Sequence, residues 1–315
     1  MRHCDSAFRA VANNLYPMPI MSKVWFITGS SRGLGRALTE AVLETGHQVV
    51  ATVRQPEQLT DLGKTYGKRL RAVKLDVKSP AEAEKAVTAA MEAFSHIDVV
   101  VNNAGYGFTG AFEQMSPDEF KGQIDTNFWG VVHVTRAVLP VLRKQGSGHI
   151  IQITSVGGRS ALPSLSGYHA AKFAVEGFSE SLAQEIRPLG LKLTLVEPGG
   201  FRTDWAGASM AYAKPMAAYA PLMDTIRGYR EKHSGQQAGD PRKAAKVILQ
   251  LVEMNEPPLR LPLGNDAMAL LRHGYKTSAE ELERWADLTK STDFDGLNES
   301  DVDHPVLQLQ SSLKS

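Results

Sequence analysis

The feature that most restricts this chain is the turn Gly29-Ser30-Ser31-Arg32-Gly33-Leu34-Gly35. Before it, Val24-Trp25-Phe26-Ile27-Thr28 is apolar without a break, as a strand buried on both faces of a parallel sheet must be. After it, Arg36 to Glu44 has helical spacing. Strand, glycine turn and helix, in that order, form the context in which a backbone can approach a pyrophosphate. The helix N-terminus adds free N–H groups and the positive end of its dipole. A glycine turn alone is weak evidence; in this context it is a candidate dinucleotide cradle.

The pattern repeats. Apolar runs at 47–53, Leu70 to Val77, Ile97 to Val101, Gly148 to Thr154 and Leu191 to Val196 read as strands. Between them, Pro80 to Phe94 reads as a helix burying Ala81, Ala83, Ala86, Val87, Ala90, Met91 and Phe94. Pro117 to Asn127 and Val131 to Leu142 also read as helical. From Tyr168 to Pro188 the apolar steps are Ala171, Ala174, Phe178, Leu182, Ile186 and Leu189, with Glu176, Ser179, Glu180, Gln184 and Glu185 on the other side. Alternation at this spacing predicts an α/β fold with right-handed crossovers and a doubly wound parallel sheet. Ligands then bind beyond the carboxyl ends of the strands.

The second strand ends at Arg54, where an NAD-binding fold would place an acid for the ribose 2′-hydroxyl. Two guanidiniums, Arg32 and Arg54, suit a 2′-phosphate instead, unless both are solvated surface residues. The expected cofactor is NADP(H) rather than NAD(H).

Tyr168 and Lys172 stand four residues apart, on one face of a helix. A free phenol titrates near ~10, and bringing it to ~7 takes roughly 4 kcal/mol. One unit charge at about 4 Å contributes on that order at an effective dielectric of about 20. Lys172 beside the hydroxyl would therefore make Tyr168 a usable acid/base, whereas the same pair on an ordinary helix is a harmless surface contact. Ser155 precedes Tyr168 by thirteen residues, at the end of a predicted strand.

Together these residues resemble the short-chain dehydrogenase/reductase family. The matches are Thr28-Gly-x-x-x-Gly-x-Gly35, Asn102-Asn-Ala-Gly105, Asn127, Ser155, Tyr168-x-x-x-Lys172, and Pro198-Gly199 with Thr203, in the family's order over residues 22–265. The resemblance implies a Rossmann-type sheet of about seven strands and hydride transfer between a nicotinamide and a carbonyl or alcohol. It implies Tyr168 as acid/base, Lys172 on the phenol and the nicotinamide ribose, Ser155 on the substrate oxygen and Asn127 holding a relay water. Gly29, Ser31, Arg32, Gly33, Leu34, Gly35, Arg54, Asp76, Val77, Asn103, Ala104 and Gly105 would line the cofactor's adenosine and phosphate side. Pro198, Gly199, Phe201 and Thr203 would flank the nicotinamide. The family also implies a homodimer or homotetramer.

From Asp204 to Ser234 the chain carries Trp205, Met210, Tyr212, Met216, Tyr219, Leu222, Met223, Ile226 and Tyr229. A substrate lid over 204–235 is expected there, weakly resembling those of hydroxysteroid and retinol dehydrogenases. Its adaptable apolar side chains suit a hydrophobic substrate, or they pack the lid to the body. Asp240-Pro241 reads as a helix start, Leu259 to Leu263 as a last edge strand and Asn265 to Lys290 as one or two helices.

Lys+Arg 35 against Asp+Glu 34 gives no reason to expect a nucleic-acid partner. The single cysteine, Cys4, excludes an intramolecular disulfide, no apolar run approaches the ~18 residues of a membrane span, and no His/Cys cluster has metal-ligand spacing. A cytoplasmic protein is expected, with one domain over 21–290 and a loose tail over 291–315. Residues 1–20 read as a disordered or non-native extension, organelle targeting being the alternative, and either Met1 or Met21 as the start. Rival functions are an NAD-linked alcohol dehydrogenase and a catalytically silent nucleotide-sensing regulator.

Overall fold

The computed structural model describes residues 22–206 and 210–297. The extension expected over 1–20 and most of the tail expected over 291–315 lie outside them. In chain order the elements are β1 Val24–Thr28, α1 Gly33–Glu44, β2 Gln48–Val53, α2 Thr60–Tyr66, β3 Leu70–Lys74, α3 Pro80–Phe94, β4 Val99–Asn102 and β5 Phe108–Thr109. There follow α4 Pro117–Ile124, α5 Gly130–Gln145, β6 Gly148–Ile153, α6 Ser166–Ile186, β7 Leu191–Pro198, β8 Ala211–Tyr212, α7 Ala220–His233, α8 Pro241–Val252, β9 Arg260–Leu263, α9 Asn265–Arg284 and α10 Ala286–Lys290.

Seven strands form one parallel sheet in the order β3-β2-β1-β4-β6-β7-β9. The order reverses between β1 and β4, which is the switch point where a crevice must open. Side-chain alternation explains the unbroken apolar runs. Val24 and Phe26 join α3, α5 and α6 in one core layer, while Trp25 and Ile27 join α1, α2 and α8 in the other. Each such side chain, fully buried, contributes about 1.5–3 kcal/mol, so β1 is clamped on both faces and its end is a rigid platform.

Several local expectations change. β3 ends at Lys74, leaving Leu75 to Val77 to cross the cleft as a loop, and Ala81 on α3 is exposed. On α6, Leu189 lies beyond the helix and is exposed, whereas Glu176 and Ser179 are buried. The helical stretch over 117–145 contains a π turn at Asp125–Trp129, a wider ring often found at functional sites. Among the described residues Pro262 sits on the edge strand β9, which pairs with β7, where a missing N–H costs least. Among the described residues, no helix is long and apolar enough to cross a membrane, and none group as three or more His, Cys, Asp or Glu able to hold a metal.

Candidate active site

The carboxyl ends of the strands open onto a cleft of about 1210 Å³. Every residue that the sequence pointed to as a site residue, from Gly29 to Thr203, lines it. Tyr106, Thr154, Gly200 and Gln237 also line it and went unnoticed, because they carry no motif and reach the cleft only through folding.

The phosphate side is built from backbone. Gly29 and Gly33 have φ of 69° and 57°, which side-chain-bearing residues rarely adopt. A Cβ on Gly35 would lie 2.3 Å from the Gly29 oxygen, and one on Gly29 would lie 2.9 Å from Ala104 Cα. Arg32 precedes α1 without capping it, and the first turn holds no acid. The free N–H groups of that turn therefore remain for an anion. Thr28 Oγ1 accepts from Asn103 N at 2.9 Å and Ala104 N at 3.0 Å, while Asn103 Nδ2 donates to the Thr28 and Gly29 oxygens. These bonds tie the Asn103–Gly105 loop to the glycine turn. The residues fit a dinucleotide: a Cβ would fill the cradle, and the first turn of α1 holds no acid of its own.

At the end where the adenosine is expected, Arg54, Gln55 and Gln58 line the cleft just past β2, with no carboxylate among them. Asp76 accepts from the Lys78 backbone at 3.0 Å. Arg32 lies 3.7 Å from Asp204, so it is less available to a ligand than the sequence implies.

The chemical end is set by α6. Tyr168 is 6% exposed and Lys172 5% exposed. Burial pushes Tyr168 up to about 12, outweighing the lowering by the Ser155 hydroxyl. This departs from the expected lowering. Lys172 Nζ donates to the Ile153 carbonyl at 2.9 Å and lies 5.8 Å from the centre of the Tyr168 ring. Its charge is thus directed to the end of β6 rather than to the hydroxyl. Burial also brings Lys172 down to about 8, opposed by Glu176, since an ammonium out of water loses its solvation.

Asn127 also lines the cleft. Fully buried on the π turn, its Oδ1 accepts from Tyr106 N at 3.1 Å, and its Nδ2 donates to Tyr106 O at 3.0 Å and Gln123 Oε1 at 3.3 Å. The side chain is a clamp on the loop after β4. His169 is a second clamp: its Nδ1 pairs with Gly157 O at 2.7 Å, and its Nε2 accepts from Leu162 N at 3.0 Å. Accepting at Nε2 leaves the proton on Nδ1, so the ring is neutral and fixes the turn after Ser155.

The lid is mostly turned away from the cleft. Of its apolar residues Trp205 lines the cleft, its ring 5.4 Å from that of Tyr168, and Met210 is buried. Tyr212, Met216, Leu222 and Tyr229 are exposed. The lid is tied to the loop after β4 by the β5–β8 pair, by Tyr219 Oη donating to Glu113 at 2.8 Å and by Arg230 donating to Thr109.

A doubly wound sheet whose switch point carries an anion cradle beside a tyrosine, a lysine and a serine defines a nicotinamide-dependent oxidoreductase. The family model described as short chain dehydrogenase matches residues 23–212, and the chain belongs to that family. It is similar to oxidoreductase BOA17 of Botryotinia fuckeliana (strain B05.10), 46% identical over 270 residues, covering 85% of this chain and 98% of that protein. Retinol dehydrogenase 8 of Bos taurus is 32% identical over 250 residues, covering 74% of this chain and 79% of that protein. A short-chain dehydrogenase from Streptomyces avermitilis matches in structure with a TM-score of 0.81 at 36% identity, covering 87% of this chain and 99% of that one. An alcohol dehydrogenase from Thermococcus sibiricus complexed with 5-hydroxy-NADP has a TM-score of 0.64 at 27% identity, covering 77% and 96%.

Proposed function

We propose that this protein transfers hydride between NADP(H) and the carbonyl or alcohol carbon of an apolar substrate, with Tyr168 as the acid/base. The observation that carries the reading is the pair of hydroxyls lining the cleft, a buried Tyr168 and a half-buried Ser155. A carbonyl accepting hydride develops negative charge on oxygen, and two aimed hydroxyl donors stabilise it. Tyr168 holds its proton at neutral pH and so can act as the acid when a carbonyl is reduced. Tyr168 then passes that proton to the new alkoxide while Ser155 keeps its oxygen in register. Bound nicotinamide supplies the hydride. Lys172 would hold its ribose, and the first turn of α1 the pyrophosphate.

Arg54 past β2, with no carboxylate lining the cleft at that point, supports NADP(H). The Thermococcus sibiricus structure complexed with 5-hydroxy-NADP agrees with it. Trp205 over Tyr168 and the likeness to a retinol dehydrogenase support a substrate that is apolar, and a flat ring or chain would stack there. A homodimer or homotetramer follows the family's habit. The test is a turnover screen with NADPH against aldehydes, ketones, steroids and quinones, run beside Tyr168→Phe. Turnover lost in the variant with NADPH affinity kept supports the assignment. Tight NADPH binding with no turnover of any carbonyl or alcohol would refute it and favour the regulator.

A further inference from the structure

Behind the catalytic helix lies a cluster of charges that the reaction as described does not use. Glu176 follows Lys172 by one turn of α6 and is 5% exposed; Glu197, the residue before Pro198, is wholly buried. Arg260 of the edge strand β9 donates to Glu176 Oε2 at 2.9 Å and to Glu180 Oε2 at 2.8 Å, and its Nε lies 3.7 Å from Glu197. Arg159 donates to both Glu197 oxygens at 3.0 and 3.3 Å and lies 4.9 Å over the Tyr275 ring of α9. Three carboxylates face two guanidiniums, and the charge of Glu176 acts on the Lys172 ammonium one turn away on the same helix. Glu176 Oε1 is buried without a hydrogen-bond partner, which leaves its charge poorly screened toward its own helix.

The same residue sets the distance between α6 and the Ser155 turn. A Cβ on Gly158 would lie 2.9 Å from Glu176 Cγ and 3.1 Å from the Lys172 carbonyl oxygen, so the turn rests on the Glu176 stem. Glu197 joins this arrangement to the strand end that leads into Pro198 and Gly199 at the cleft. One carboxylate thereby touches the loop of Ser155, the helix of Tyr168 and Lys172, and β9.

We propose that Glu176 is a positioning residue for the Tyr168/Lys172 pair, holding their turn of α6 on the Ser155 loop and keeping a carboxylate one turn from the Lys172 ammonium. The inference rests on the hydride-transfer reading above. Its direction follows from Glu176 being the charge that opposes the lowering of Lys172 by burial. Without it, Lys172 would lose its proton at lower pH.

The test compares wild type, Glu176→Gln and Glu180→Gln in kcat/KM from pH 6 to 9.5, alongside NADPH affinity by fluorescence and thermal melts. In Glu176→Gln the basic limb is expected to move to lower pH by on the order of half a unit or more. Turnover should fall about three- to tenfold at pH 8.5 and stay near wild type at pH 6.5, with NADPH affinity following the same shift. Glu180→Gln, a half-exposed carboxylate on the same guanidinium, should leave the profile in place. A Glu176→Gln profile superimposable on wild type, or lowered equally at every pH, overturns the proposal. Should that variant not fold, Arg260→Gln removes the facing cation, and the limb should move to higher pH; movement the other way, or none, overturns it. If wild type turns over no carbonyl, the functional reading fails and the pH dependence of NADPH affinity alone decides this one.

Discussion

Lys172 is expected to weaken the fold that it serves, and replacing it with methionine measures by how much. Burial takes its ammonium from the usual 10.5 to about 8, which at roughly 1.4 kcal/mol per pH unit corresponds to about 3 kcal/mol. Lys172→Met removes that cost but strips the Ile153 carbonyl of its bond from Nζ, a loss of about 1 kcal/mol. The net expectation at pH 7 is a gain of about 2 kcal/mol, or a Tm higher by about 4 °C for a chain of this size. The sign with pH follows from proton counting. Below about 8 the wild type carries the whole cost. Between about 8 and 10.5 the unfolded chain still binds the proton that the folded protein has released, so wild-type stability rises across that window. The advantage of Lys172→Met should therefore shrink as pH climbs from 7 to 10.5, while turnover is lost at every pH. Thermal melts of both proteins at pH 7, 8.5 and 10 read this directly. A variant less stable than wild type at pH 7, or a gain unchanged at pH 10, would refute the reasoning.

Two further outcomes test other parts of the site. Arg54→Ala should weaken NADPH binding about ten- to hundredfold, the worth of a charge-assisted hydrogen bond, and leave NADH binding alone; fluorescence titration with both cofactors checks it, and equal losses would contradict a 2′-phosphate contact. Asn127→Ala strands the backbone N–H and carbonyl of Tyr106, at about 1–3 kcal/mol for each buried group, so its melting temperature should fall by several degrees; an unchanged melt would mean the clamp is dispensable.

Much of this site can be read along the chain because its parts are local. An unbroken apolar run, a glycine that must take positive φ and a polar residue at a strand's end are properties of neighbouring residues. A parallel sheet then carries all such ends to one side. That is why Gly29, Asn103, Ser155 and Pro198, far apart in the chain, were legible as one crevice. The same logic misjudged α6. Its periodicity set Glu176 and Ser179 among the solvated residues, but the helix is buried on more than one side because the Ser155 turn, α4, the π turn and β7 all pack on it, with Arg260 of β9 on Glu176.

The sequence by itself determined the order of the elements, the glycine turn and the placing of Tyr168 and Lys172 on one helix, since backbone conformation and helical spacing are short-range. Only the tertiary structure decided where the charges act. Lys172 is drawn to the Ile153 carbonyl, Arg32 to Asp204 and Glu176 to Arg260, each a partner fixed by packing. Electrostatic effects depend on distance in space and on burial, and neither is written in the spacing of residues along a chain.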